Sequence, residues 1–205
     1  MQLELPLDYP TAQPIVVAFC GFKGHGKDTA AEVLTESLGF EHLSFATGLR
    51  RTVATALRVN ERYFTNPETK EEIDPRTGKA RRYWLQYIGT EGFRHLWNEI
   101  WTWWWSEEIK ERAMPRVVTT DVRFPNEEEE VRKFPRSILI RVENPRIPPS
   151  GDLHESERHI PYLQEDYIVT NDGSIEDLRS NTLEVVCRHF NISPIQTRPD
   201  IWENI

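Results

Sequence analysis

The chain has 205 residues, and its 33 acidic side chains against 25 Lys and Arg leave a net charge of −8. That length suits one domain with room for a small insertion, and that charge argues against a nucleic-acid binder working through bulk positive field, though not against a local basic cleft. An apolar fraction of 38%, with seven Trp and nine Phe, is enough for a core, and no apolar run approaches the ~20 residues of a membrane span.

Residues 1–14 form an acidic, Pro-containing leader, unlike a signal peptide. Residues 15–20, IVVAFC, are a short apolar, β-rich run suited to a buried parallel strand. A helix is predicted over 27–38, with Ala30, Ala31, Val33, Leu34 and Leu38 on its apolar face and Gly39 as its stop. A second strand is expected at 42–46 and a basic helix at 48–58. Residues 60–82, with Pro67, Pro75 and Gly78, read as a polar insertion or flexible hairpin outside the core. Helix resumes over 83–112, in two segments broken near Gly89–Gly92. In it, Trp101, Trp104 and Trp105 fall at helical spacing with Trp97 and Ile100, as in a core stripe.

Residues 116–122 form a strand ending at Asp121, and the acidic run that follows suits a solvated helix start. Strands at 137–142 and 166–170 flank a Pro-rich loop and a polar stretch, with a lid region at 143–165. Asn171–Ser174 turn the chain into a helix over 175–190, and 191–205 are a tail. Cys20 and Cys187 read as free thiols of a cytosolic protein. Strands alternating with helices predict an α/β fold, a parallel sheet flanked by helices. Ligands in such sheets gather at the carboxyl ends of the strands. The stretches 21–29, 121–126 and 171–173 all fall directly after predicted strands.

GFKGHGKDT, residues 21–29, has the spacing of a phosphate-binding loop: Gly21, Gly26 and Lys27 at the required positions, with Gly24 and His25 between. Glycines let backbone N–H groups turn inward onto phosphate oxygens, Lys27 can reach the β- and γ-phosphates, and the following helix offers its positive end. Asp28 stands where Ser or Thr usually holds magnesium. A carboxylate is a hard oxygen ligand, so Asp28 reads as a metal residue, with helix capping as the alternative. Thr29 is then available to an α-phosphate oxygen.

Gly-x-x-Gly-x-Gly-Lys-Asp-Thr with Asp after the Lys resembles the bacteriophage deoxynucleoside monophosphate kinases. SFATGLRR (44–51), LQYIGTEGFR (85–94), TDVRFPNEEEEV (120–131), LHESE (153–157) and NDGSIEDL (171–178) resemble further segments of that family, in order, across roughly 15–190. The resemblance implies a three-layer P-loop kinase fold with a helical monophosphate-binding part and a lid. It also implies magnesium-dependent transfer of a phosphoryl group from ATP to a deoxynucleoside monophosphate, in deoxynucleotide biosynthesis. No nucleic-acid polymer or membrane is implied as partner, and a homodimer is left open. Other small-metabolite kinases of this fold, acting on dephospho-coenzyme A or phosphomevalonate, are the nearest rivals. A guanine-reading switch would need Asn-Lys-x-Asp, which is absent.

Phosphoryl transfer needs positioning and charge neutralisation, so cations facing the loop and a carboxylate for metal are sought. Asp121 resembles the acid that orients magnesium at a strand end. Arg123 is matched to bracing the acceptor phosphate or transferred group, and Arg94 to gripping the acceptor bidentately. Arg50 lies on the helix that should flank the monophosphate; Gln86 is equally suited to reading a base edge or to the helix surface. Arg81 and Arg82 can supply field. Asn171, Asp172 and Gly173 sit where related kinases cradle adenine. His154, Glu155 and Glu157 fit no zinc pattern and are assigned to the lid or its hinge.

Overall fold

The computed structural model describes residues 13–148 and 157–195. The leader's first twelve residues, His154, Glu155 and the end of the tail lie outside them. The chain runs β1 (Ile15–Cys20), α1 (Lys27–Leu38), β2 (Glu41–His42), α2 (Ala46–Leu57), α3 (Arg62–Thr65), α4 (Pro67–Glu71), β3 (Ile73–Asp74), β4 (Lys79–Ala80) and α5 (Arg81–Gln86). A π-helical stretch, Tyr87–Arg94, precedes α6 (Ile100–Glu111), β5 (Arg116–Thr119), α7 (Pro125–Arg132) and β6 (Arg136–Glu143). A 3-10 turn (Ile160–Tyr162), β7 (Tyr167–Thr170) and α8 (Ile175–Phe190) complete it.

The main sheet has the order β2-β5-β1-β6-β7, and every pairing in it is parallel. All six residues of β1 are buried, because both faces of the sheet are covered. The two-residue period of the strand divides them. Ile15, Val17 and Phe19 join α1 and α8 in one core, while Val16, Ala18 and Cys20 join α6 and α7 in the other. Burial pushes the Cys20 thiol up to about 12, and both cysteines are free. No helix among the described residues is long and apolar enough to cross a membrane.

Four local expectations are corrected. The second strand is only Glu41–His42, because the chain turns at Ser44 and enters α2 at Ala46. The strand expected over 116–122 stops at Thr119. Gly89 and Gly92 lie inside the π-helical stretch, and the break falls at residues 97–99 instead. Gly89 is buried against Leu49, whose side chain would have to shift to admit a Cβ there. The 60–82 excursion is structured: Phe64 enters a third core with Val53 and Ala54, against which Trp84, Leu85 and Ile88 pack. Its hairpin is held by Asp74, which accepts from Arg76 N at 2.9 Å, Nε at 3.0 Å and Nη2 at 2.5 Å.

Of the tryptophans, Trp101 and Trp105 are buried, whereas Trp97 and Trp103 are exposed and pack on each other at 5.3 Å. Trp105 donates its indole N–H to the Leu43 carbonyl at 2.8 Å and sits 4.5 Å from the Phe45 ring. Trp105→Ala should therefore cost about 3–5 kcal/mol in urea denaturation. The Asp74 carboxyl is drawn down to about 2 by its Arg76 bonds. A depressed carboxylate stabilises above its unfolded pKa and loses this as pH falls through the folded one. The stability advantage of wild type over Asp74→Asn should shrink as pH is lowered from 5 towards 2.

Candidate active site

The carboxyl ends of β1, β5 and β6 meet at the 21–26 loop. Gly21 has φ +135, and a Cβ on it would stand 2.4 Å from the Val142 carbonyl oxygen. Gly26 has φ +102, and a Cβ there would stand 2.6 Å from the Asn171 amide nitrogen. Both positions need glycine, so that the loop lies flat against β6 on one side and the turn after β7 on the other. Gly24 is exposed at the tip.

Lys27, the first residue of α1, folds back across the loop and donates to the carbonyls of Gly21 at 2.8 Å and Phe22 at 2.9 Å. Burial pulls its ammonium below the usual lysine range, and the charge of Arg123 adds to this; Asp28 and Glu157 oppose it. Gly26 is the N-cap of α1, and no side chain caps the helix there. Asp28 is exposed and makes no hydrogen bond among the described residues, so capping is not its role. Thr29 is half-buried in the same first turn.

His25 points away from the loop's interior. Its Nε2 lies 2.9 Å from the Ile147 carbonyl, and its Nδ1 is 3.3 Å from Asn144 N and from Val142 O. Asn171 donates its amide to the His25 carbonyl at 3.0 Å. These two predicted ATP-binding side chains thus brace the loop against the segment after β6. The Asn171 amide is spent on the protein, and Arg146 donates to the carbonyl of Asp172 beside exposed Gly173. A cavity of about 330 Å³ lies along this brace, lined by Phe22, His25, Asn144, Ile147, Pro148 and Thr170 among others.

Asp121 sits just beyond β5. One carboxylate oxygen accepts from Phe45 N at 3.0 Å and from the Thr119 hydroxyl at 2.9 Å; the other accepts from Ala46 N at 3.0 Å. It therefore anchors the start of α2, whose donors would otherwise lack acceptors.

The run EEEE at 127–130 is not a solvated face: Glu127 is 3% exposed and Glu130 8%. Glu127 accepts from Arg94 Nη2 at 2.7 Å, Arg123 N at 2.8 Å and Phe124 N at 3.2 Å. Arg94 also lies over the Phe124 ring, 4.5 Å from its centroid. Burial raises the Glu127 carboxyl, while the Arg94 charge opposes that rise. The available signal was position, since Glu127 is the third residue of its helix, where a carboxylate can reach back to backbone N–H groups. Arg123 has its guanidinium 3.9 Å from Glu157, so its bond to the acidic run is through main chain.

Arg50 on α2 donates to Ser44 Oγ at 2.7 Å and Thr47 Oγ1 at 2.9 Å. Gln86 is exposed at the end of α5. Arg81 is structural, bonded to Thr69 O and Glu72 and lying over Tyr63. Arg82 pairs with Glu71. The fold thus joins Arg94 and the main chain of Arg123 through Glu127, and ties His25 and Asn171 to the loop's support.

A glycine-rich loop between a central parallel strand and a helix, with a lysine folded across it, is the arrangement of a phosphotransferase of the kinase type. Residues 80–182 match the model of the deoxynucleotide monophosphate kinase family. A protein of Acanthamoeba polyphaga mimivirus, itself named as a deoxynucleotide monophosphate kinase, is 30% identical over 187 residues, 84% of this chain and 96% of its own length. The chain belongs to the deoxynucleotide monophosphate kinase family. Among solved structures, TT1252 of Thermus thermophilus is similar with a TM-score of 0.49 at 18% identity, covering 86% of this chain and 98% of its own. A dephospho-CoA kinase of Campylobacter jejuni has a TM-score of 0.48 at 15% identity, covering 87% and 98%.

Removing Glu127 would strand the Arg94 cation and two backbone N–H groups. Glu127→Ala should destabilise by about 3–5 kcal/mol in urea denaturation. The double variant with Arg94→Ala should cost less than the sum of the two single changes.

Proposed function

We propose that the protein transfers the γ-phosphoryl group of ATP to the phosphate of a deoxynucleoside 5′-monophosphate, giving ADP and the deoxynucleoside diphosphate. The observation that carries this reading is a lysine folded across a glycine loop at the carboxyl end of the central strand, in a chain of the deoxynucleotide monophosphate kinase family. A loop lysine, with an arginine carried after the neighbouring strand, suits the charge spread over a migrating phosphoryl group. Gly21, Gly24, Gly26, Lys27 and Thr29 are assigned to the triphosphate, with His25, Asn171 and Gly173 shaping the loop's far side. The apolar lining of Phe22, Ile147 and Pro148 suits the base of ATP. Arg94, Arg50 and Gln86 are assigned to the acceptor, and Arg123 to both phosphates.

Magnesium fits this donor set. Asp28 is an exposed carboxylate that makes no hydrogen bond or ion pair among the described residues, Asp121 lies just beyond the neighbouring strand, and no cluster of three metal-ligating side chains exists among the described residues. Such a set suits an ion held largely by phosphate and water. When bound, magnesium would neutralise charge on the phosphate oxygens, and Asp28 and Asp121 are the residues assigned to hold it or its waters. We assign the 143–165 region to a lid, and Glu157 beside Arg123 to its edge.

A coupled ADP-release assay with ATP, magnesium and each deoxy- and ribonucleoside monophosphate tests the reading. Stimulation by at least one deoxynucleoside monophosphate is expected; none at all would overturn it. Lys27→Ala should lower kcat at least about 10²-fold while the protein stays folded by circular dichroism. Arg94→Ala should raise KM for the monophosphate about tenfold or more and leave that for ATP nearly unchanged. An equal effect on both substrates would remove Arg94 from the acceptor site.

A further inference from the structure

The 60–82 excursion carries a cation that the assignments above do not use. Lys70, on α4, is half-buried, and its ammonium has no hydrogen-bond or ion-pair partner among the described residues. The neighbouring Arg81 and Arg82, by contrast, are paired with Glu72 and Glu71. The element that carries Lys70 is held in place. Arg81 bonds the carbonyl of Thr69 at 2.6 Å, one residue before it, and α4 packs on α5, which packs on α2.

α4 also packs on α3, whose N-cap Glu61 lies 3.7 Å from Arg50 Nε, and the charges of three arginines act on Lys70. Arg82 comes from α5, Arg50 from α2 and Arg123 from the turn after β5. Burial lowers the Lys70 ammonium, the charges of Arg82, Arg50 and Arg123 add to this, and Glu71 opposes them. Arg50 adds a donor still to be satisfied: its Nε is buried without a hydrogen-bond partner, with Glu61 no nearer than 3.7 Å. Buried donors nearly always find acceptors, so one left over beside a partnerless ammonium is an unfilled demand for oxygen. The charge of Arg123 acts on Lys27 as well as on Lys70. A chain of net charge −8 does not gather like charges at no cost. An anion that enters between them offsets that cost.

We propose that Lys70 is an acceptor-binding residue of this kinase, donating with Arg50 to the phosphate oxygens of the incoming nucleoside monophosphate, and that the 60–82 excursion exists to deliver it. This rests on the monophosphate kinase reading above. The donor triphosphate has the same oxygen chemistry, but it belongs to Lys27 and the glycine loop.

The test is binding and turnover of wild type, Lys70→Gln and Lys70→Arg. Intrinsic tryptophan fluorescence would follow titration with dAMP, dCMP, dGMP and dTMP in one arm and ATP in the other. For a monophosphate that wild type binds, Lys70→Gln should weaken affinity and raise KM about tenfold or more, as expected for one charge-assisted hydrogen bond. ATP affinity should change less than about twofold, and Lys70→Arg should recover most of the loss. Because removing Lys70 relieves repulsion, Lys70→Gln should melt no lower than wild type. Unchanged monophosphate affinity in Lys70→Gln, an equal loss for ATP, or a lowered melting temperature would each overturn the assignment. If wild type binds and turns over none of the four, the acceptor reading itself falls, and Lys70 with it.

Discussion

The six residues of β1 are buried on both faces, and their place between β5 and β6 decides where everything else can go. A strand covered by helices on both sides must leave the sheet at its carboxyl end, where the backbone finds room to turn. Here it turns through Gly21, whose missing side chain lets the loop pass the Val142 carbonyl. The loop, the start of α2 and the turn before α7 are therefore neighbours through the order of strands, although up to about a hundred residues separate them in the chain.

Two acids then set the geometry of the cations. Asp121 holds the first N–H groups of α2, which carries Arg50. Glu127 holds Arg94 and the backbone of Arg123 with one carboxylate. Glu127 is buried and Asp121 half-buried, and each exchanges hydration for several donors, which is the condition for taking a carboxylate out of water. Locked arginines lose less freedom when a phosphate arrives than flexible ones would. The stability that repulsion costs at Lys27, Lys70, Arg50 and Arg123 is supplied by the two cores on either side of the sheet.

The 60–82 excursion shows how composition alone misleads. Its prolines, glycine and charges read as loose chain, because few of its side chains are apolar. The order comes from elsewhere. One buried Phe64, an Asp74–Arg76 lock and the Arg81 bond to Thr69 hold it against α2 and α5. Each is a contact between residues that no local pattern links.

Much of the fold was legible in the sequence because its signals are local. The apolar run of β1, the glycine spacing of 21–26, and the helices at 27–38 and 175–190 follow from periodicity, turn chemistry and capping. The identity of Lys27, Asp28, Asp121, Arg94 and Arg123 as a set worth testing came from the same source, through ordered motifs. What only the tertiary structure decided is the direction of side chains and the company they keep. It showed His25 and Asn171 bracing the loop, moved Glu127 from solvent to a bond with Arg94, and left Lys70 half-buried without a partner among the described residues. Burial and pairing are properties of neighbours in space, and a one-dimensional pattern carries the period of a helix but not which surface will close over it.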